Sequence, residues 1–238
     1  MKRIALKSVL ATALLTAPLA TPAVAAESFK AQYTITALGI PVGKTDFTTT
    51  VTDKNYTVRG TMQASGFASL FSELTGNLNV AGGRSTKAVQ SSAYDVSYRE
   101  GKKAKSTSLR FAGANVSKTV NKPARGKRDN WVEHKPDALK NVVDPITSLL
   151  IAAPNDRAVC NRKIRVFDGV MRADVQLSYK RTVPFSVDGY KGTAVTCQAK
   201  FIPVSGYQTT KKMSPSCATA PISKSASRRW ARPASTRR

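Results

Sequence analysis

The sequence predicts a mainly β protein, an antiparallel sheet with two short helices covering one of its faces. Three observations carry that reading. Apolar and polar residues alternate in short runs, the runs are punctuated by Gly-, Asn- and Asp-containing turns, and no long helical period intervenes as a parallel α/β sheet would require. The first run sets the pattern: Phe29, Ala31, Tyr33, Ile35 and Ala37 alternate with Lys30, Gln32, Thr34 and Thr36. Residues two apart share a face of a strand, so this run has one apolar and one wet side.

After the turn at 39–43, Thr45, Phe47, Thr49 and Val51 continue in strand register. Tyr56, Val58 and Met62 follow the turn Asp53-Lys54-Asn55, and Leu78 with Val80 leads into Gly82-Gly83. Tyr94, Val96 and Tyr98 run to Glu100-Gly101, after which Leu109 with Phe111 and Val116 with Val120 add two strands. In the second half Ile164 and Val166 enter Asp168-Gly169, a strong hairpin signal. Met171, Ala173, Val175, Leu177 and Tyr179 return from it. Asp188-Gly189 repeats the device between Phe185-Ser186-Val187 and a strand holding Val195, Cys197, Ala199 and Phe201.

Two segments leave this period. Phe67, Leu70, Phe71 and Leu74 recur at helical spacing, and Asp144-Pro145 is a capping pair ahead of Ile146, Leu149 and Leu150. Both predict short helices over an apolar sheet face. Residues 121–140 read as a loop rich in Lys, Arg and Pro, with Trp131 and the sole histidine, His134; a solvated connection and a polyanion-binding patch are its two readings.

Both ends differ from this body. Lys2, Arg3 and Lys7 precede an apolar stretch and an A-x-A type site at Ala23-Val24-Ala25, so residues 1–26 are expected to be a cleaved signal peptide. The apolar run is too short, and too broken by Pro18 and Pro22, for a membrane-spanning helix. No transmembrane segment is expected once the signal is removed. From residue 213 to 238 Ser, Ala, Pro and Arg dominate and acidic residues vanish. That composition predicts a disordered basic tail, read either as out-of-frame translation of a GC-rich gene or as a polyanion-binding extension. Residues 27–212 remain as a single β-rich domain.

The 238 residues carry 38 basic against 14 acidic side chains, a net charge of +24, and are 41% hydrophobic, enough for a real core. Three of the basic residues fall in the first 26 positions and six after position 212. The body therefore keeps 29 against all 14 acids, and its charge is +15. An exported domain of that charge has anionic envelope surfaces as its expected neighbours, and no nucleic acid.

One histidine and three cysteines do not make a His/Cys metal site. Cys160 and Cys197 lie in the patterned body of a chain expected outside the cytoplasm, so a disulfide between them is the natural reading, with Cys217 left over in the tail. Each adjoins a strand of the second half, so the bridge is expected to tie neighbouring strands. There is no G-x-S-x-G elbow, phosphate loop or dinucleotide fingerprint, so no catalytic residue and no cofactor is assigned. Asp95, Asp168 and Asp174 are the acids an envelope hydrolase would draw on.

Several segments together carry a resemblance. These are Leu38-Gly39-Ile40-Pro41-Val42-Gly43, Ser65-Gly66-Phe67-Ala68-Ser69-Leu70-Phe71, Asp144-Pro145-Ile146-Thr147-Ser148-Leu149-Leu150, Cys160 with Val166-Phe167-Asp168-Gly169, and Cys197 with Ile202-Pro203-Val204-Ser205-Gly206-Tyr207. In this order they resemble the exported proteobacterial proteins of the domain-of-unknown-function 3108 family, over roughly residues 29–212. The resemblance implies a periplasmic protein and a strongly curved sheet, an open barrel or β-spiral similar to the half-barrel lipoprotein carriers. After Tyr207 the chain departs from the family, whose closing strands are replaced here by the basic tail, so the sheet is expected to expose an edge. Functionally, the expectation is a non-catalytic envelope-maintenance or binding protein. Tyr33, Phe47, Tyr56, Tyr94 and Tyr98 would either hold a lipid, acyl chain or extended peptide on a concave face, or simply fill the core. A basic scaffold on anionic envelope polymers or lipid headgroups is the alternative, and an envelope hydrolase the third.

Overall fold

The alternation along each run becomes a continuous two-faced sheet because every turn returns the chain antiparallel to its predecessor. The structure is a computed structural model that describes residues 26–66, 69, 73–85, 88–126, 128–150, 157–187, 190–209 and 220–221. The expected signal segment and nearly all of the basic tail lie outside these residues. Seven strands, β1 (Glu27–Ala37), β2 (Ile40–Val51), β3 (Asn55–Ala64), β4 (Thr75–Arg84), β5 (Val89–Glu100), β6 (Lys103–Ala112) and β7 (Asn115–Lys122), pair in sequence order as a meander. A second sheet pairs β8 (Arg162–Phe167), β9 (Arg172–Val187), β10 (Tyr190–Ser205) and the two-residue β11 (Ala220–Pro221).

Register fixes the faces. Val51 lies opposite Tyr56, Val58 opposite Val80, Val80 opposite Tyr94, and Tyr94 opposite Leu109. These six residues are buried and, with Val142 and Phe167, form the main core. The other face carries Gln32, Asp46, Thr61, Asn77 and their neighbours, with Gln32 donating to Asp46 at 2.8 Å. The Tyr56 ring fits only because its neighbour in β4 is Gly82, where a Cβ would stand 2.3 Å from the Tyr56 hydroxyl oxygen.

Several expectations need correction. The sheet is neither closed nor strongly curled: β1 pairs only with β2 and β7 only with β6, so both are open edges among the described residues. A barrel buries its apolar face against its own far wall. Here Leu139, Val142, Ile146, Leu150 and Phe167 supply that cover from outside the sheet, and closure is not needed. Of the two expected helices, the first lies mostly outside the described residues and the second does not form. Phe67, Leu70 and Phe71 lie outside the described residues, and Leu74 is not helical. The Asp144-Pro145 segment makes a single 3-10 turn, Thr147–Leu149. Its Thr and Ser hydroxyls are taken up by local and sheet partners that compete with a longer helix. Finally, the runs at Met171–Tyr179 and Phe185–Val187 belong to one strand, so β9 and β10 are a hairpin of two 16-residue strands.

The covering segment is pinned by a buried polar chain. Asp144 is fully buried, and its Oδ1 accepts the amides of Ile146 and Thr147, both at 2.9 Å. Its Oδ2 accepts the hydroxyls of Thr147 and of Ser91 from β5, the latter at 2.5 Å. Tyr56 from β3 then donates to Thr147 Oγ1 at 2.5 Å, because that hydroxyl's own proton goes to Asp144. The Asp-Pro motif thus ties the cover to two strands of the sheet instead of starting a helix.

The second sheet has its own core of Val159, Cys160, Leu177, Val195 and Cys197. Cys160 and Cys197 form the expected disulfide, with a Cα–Cα distance of 5.2 Å. It does not join neighbouring strands: Cys160 precedes β8 and Cys197 lies in β10, so the bridge crosses the intervening β9. The outer edge of β10 meets β11 at Gln198 and Ala199, which lie opposite Pro221 and Ala220.

Candidate functional site

Strand register brings all five predicted aromatics to the same face of the large sheet. Tyr33 pairs with Thr45, two residues from Phe47, and Tyr56, Tyr94 and Tyr98 follow in the same parity across β3 and β5. Packing then divides them. Tyr56 and Tyr94 are 3% and 8% exposed and belong to the core. Burial pushes both phenols up to about 12. They fill space and are not open to a ligand.

Phe47 packs half-buried against the margin of that core, and Tyr33 and Tyr98 lie exposed beyond it. Tyr33 is 57% exposed and meets half-buried Phe47 edge-on, with centroids 5.9 Å apart. Tyr98 is 37% exposed, and the Lys105 ammonium stands 5.7 Å from its ring centroid. Phe29 and Ile35 are exposed on the same face of β1, and half-buried Met62, Leu78 and Val96 bridge the span between β1 and β5. The result is an apolar expanse rimmed by a cation at Lys105, of the kind that marks interaction surfaces.

The acids considered for hydrolysis are each engaged elsewhere. Asp95 is on the wet face and accepts Ser108 at 2.6 Å and Arg110 at 3.0 Å. Asp168 accepts the amides of Val170 and Met171 within its turn. Asp174 is paired with Arg172 at 2.6 Å and Lys163 at 2.7 Å. Burial raises its carboxyl, but the hydrogen bonds from Lys163 and Arg172 outweigh this and hold it below its usual value. His134 does meet a serine, with Nδ1 at 2.7 Å from Ser205 Oγ. Ser205 is only 3% exposed, and among the described residues no carboxylate hydrogen-bonds the imidazole. Burial lowers the His134 pKa, and its ring packs edge-on against Phe167 at 5.4 Å. Among the described residues no group of three His, Cys, Asp or Glu side chains forms a metal site.

Comparison with known proteins decides the family. The family described as "Protein of unknown function (DUF3108)" matches residues 32–214, which span nearly all of both sheets. The chain belongs to the DUF3108 family. No curated protein and no solved structure matches it. The matched DUF3108 region includes the Asp144-Pro145 segment, whose carboxylate holds the cover on the sheet, and both bridged cysteines. Sequence reasoning missed Ser91 as a partner of that carboxylate and Tyr56 as a partner of Thr147 beside it, because nothing local to either residue points across the chain to the Asp144 segment. No helix among the described residues is long and apolar enough to cross a membrane.

Proposed function

We propose that the protein is a non-catalytic binding protein of the cell envelope, exported to the periplasm, that holds the acyl chain of an anionic lipid on the open half of its aromatic face. One observation carries this reading: the apolar face is roofed over Tyr56 and Tyr94 but left open from Tyr33 to Tyr98. Lys105 beside Tyr98 favours an anionic amphiphile over a neutral chain or an extended peptide. The disulfide suits an oxidising compartment, and the +15 body suits an anionic surface. A non-catalytic role is supported by the engagement of each candidate acid in a turn or ion pair. The basic-scaffold reading shares the charge but leaves the exposed aromatic expanse without a purpose.

Native mass spectrometry of protein recovered from the periplasm is expected to show a co-purifying lipid together with loss of residues 1–26. A Tyr33→Ala/Tyr98→Ala variant is expected to bind a fluorescent fatty acid about tenfold more weakly or worse, the factor for about 1.4 kcal/mol of lost contact. Unaltered affinity in the variant, or a bound peptide in place of lipid, overturns the reading.

A further inference from the structure

The loop between the two sheets, singled out in the sequence for its basic residues, is held in one place. Val132 donates to Tyr207 O at 2.9 Å, Gly206 to Val132 O at 2.7 Å and Thr209 to Asn130 O at 2.9 Å, while Trp131 bridges to Gln208. Trp131 is thereby fixed to the chain leaving β10. Two guanidinium groups lie over its ring, Arg125 at 5.3 Å and Arg128 at 5.7 Å from the centroid. Beside them is a cleft of about 310 Å³ lined by Arg125, Arg128, Trp131, Glu133, His134 and the turn residues Gly169 and Val170.

The floor of this cleft is rigid. Asn121 at the end of β7 donates to Gly169 O at 2.9 Å and accepts Thr107 Oγ1 at 2.7 Å, so the turn is fastened to the large sheet. Gly169 has φ +94°, and a Cβ there would stand 2.3 Å from the Thr107 methyl. The turn can therefore approach the sheet only as glycine.

We propose that this cleft is a binding site for a phosphate monoester. Two like charges are gathered on one indole, and among the described residues neither arginine has a carboxylate within ion-pair distance. Glu133 lines the cleft, and the nearby Asp168 carboxylate accepts the Val170 and Met171 amides through Oδ1 without forming an ion pair to either arginine. Burial and the Arg128 charge lower the pKa of Arg125 and outweigh the opposing Asp168 charge, a direction an anion in the cleft would reverse. A guanidinium lying over an aromatic face keeps its N–H fork free for bidentate contacts. Two forks match the doubly charged, three-oxygen end of a phosphate monoester, whereas a single carboxylate occupies one. Trp131 adds a flat apolar wall for whatever carries the phosphate. Thr107, under the turn, lies opposite Val96 on the apolar face of the large sheet. A lipid headgroup and a soluble phosphate ester present the same group to the cleft, and the experiment below separates them.

The site goes beyond the acyl-chain reading and is tested separately from it. In a Trp230→Phe background, Trp131 is the remaining tryptophan and reports on its own cleft. Inorganic phosphate, glycerol 3-phosphate and phosphatidylcholine vesicles containing phosphatidic acid are each titrated against its emission. Saturable change is expected, and Arg125→Ala/Arg128→Ala should weaken it about tenfold or more with circular dichroism unchanged. Arg125→Lys/Arg128→Lys should restore only part, since it keeps charge and loses the fork. Response to the soluble phosphates identifies a small solute, and response to vesicles alone identifies a headgroup. The proposal is overturned by no saturable response to any probe, by a response the Ala/Ala variant retains, or by acetate binding as tightly as phosphate. Glycerol 3-phosphate carries no acyl chain, so this arm stands whether or not Tyr33 and Tyr98 hold a lipid.

Discussion

At the residue scale the clearest lesson is Asp174. As a lone acid in a strand it reads as available chemistry, yet it is the counter-charge of Arg172, whose side chain is 3% exposed and whose Nε also donates to Ala138 O. Asp174→Asn leaves a buried guanidinium uncompensated, and an unfolding free energy lower by about 3–5 kcal/mol is expected in urea titrations. The same pair sets an acid limb. The native carboxyl titrates below its unfolded value of about 3.9, so its stabilisation is present above that pH and is lost as pH falls through the native pKa. The Asn variant should show a flatter loss of stability between about pH 4 and pH 2. Arg172 and Asp174 share a strand face by their spacing, which is legible. Their burial and the reach of Lys163 from β8 are not, because they depend on pairing between separate segments.

At the element scale, the disulfide and the Asp144 chain do different work. The bridge spans 37 residues and straddles β9, so it constrains the whole of the small sheet rather than one strand pair. Cys160→Ser/Cys197→Ser is expected to lower stability by about 3–4 kcal/mol, read as a shifted thermal midpoint, and reductant should do the same to the parent protein. Strand positions were legible because a period of two is local. The extent of the helix expected after Asp144-Pro145 was not, because a capping signal describes only the first turn. After Asp144-Pro145 the hydroxyls of Thr147 and Ser148 find partners other than a continuing helix.

At the scale of the whole molecule, the two sheets meet through Val142 and Phe167, which pack on Tyr56, Tyr94 and Leu109. Both phenols sit in that shared core with pKa values pushed up to about 12. Between about pH 10, where an unfolded tyrosine ionises, and pH 12 the native state holds protons that the unfolded state has released, so stability falls as pH rises. Absorbance at alkaline pH is expected to show two of the seven tyrosines ionising only with loss of tertiary structure, in one step; early titration of all seven would separate them from the core. The sequence by itself determined which residues share a face, the hairpin turns, the cysteine pair and the family, because each is written in short-range spacing or in a set of ordered motifs. Only the tertiary structure decided that Tyr56 and Tyr94 are core while Tyr33 and Tyr98 stay open, and that Arg125 and Arg128 converge on Trp131. Those outcomes depend on where the cover and the interstrand loop land, through contacts such as Tyr56 to Thr147 across 91 residues, and no local pattern encodes a contact of that reach.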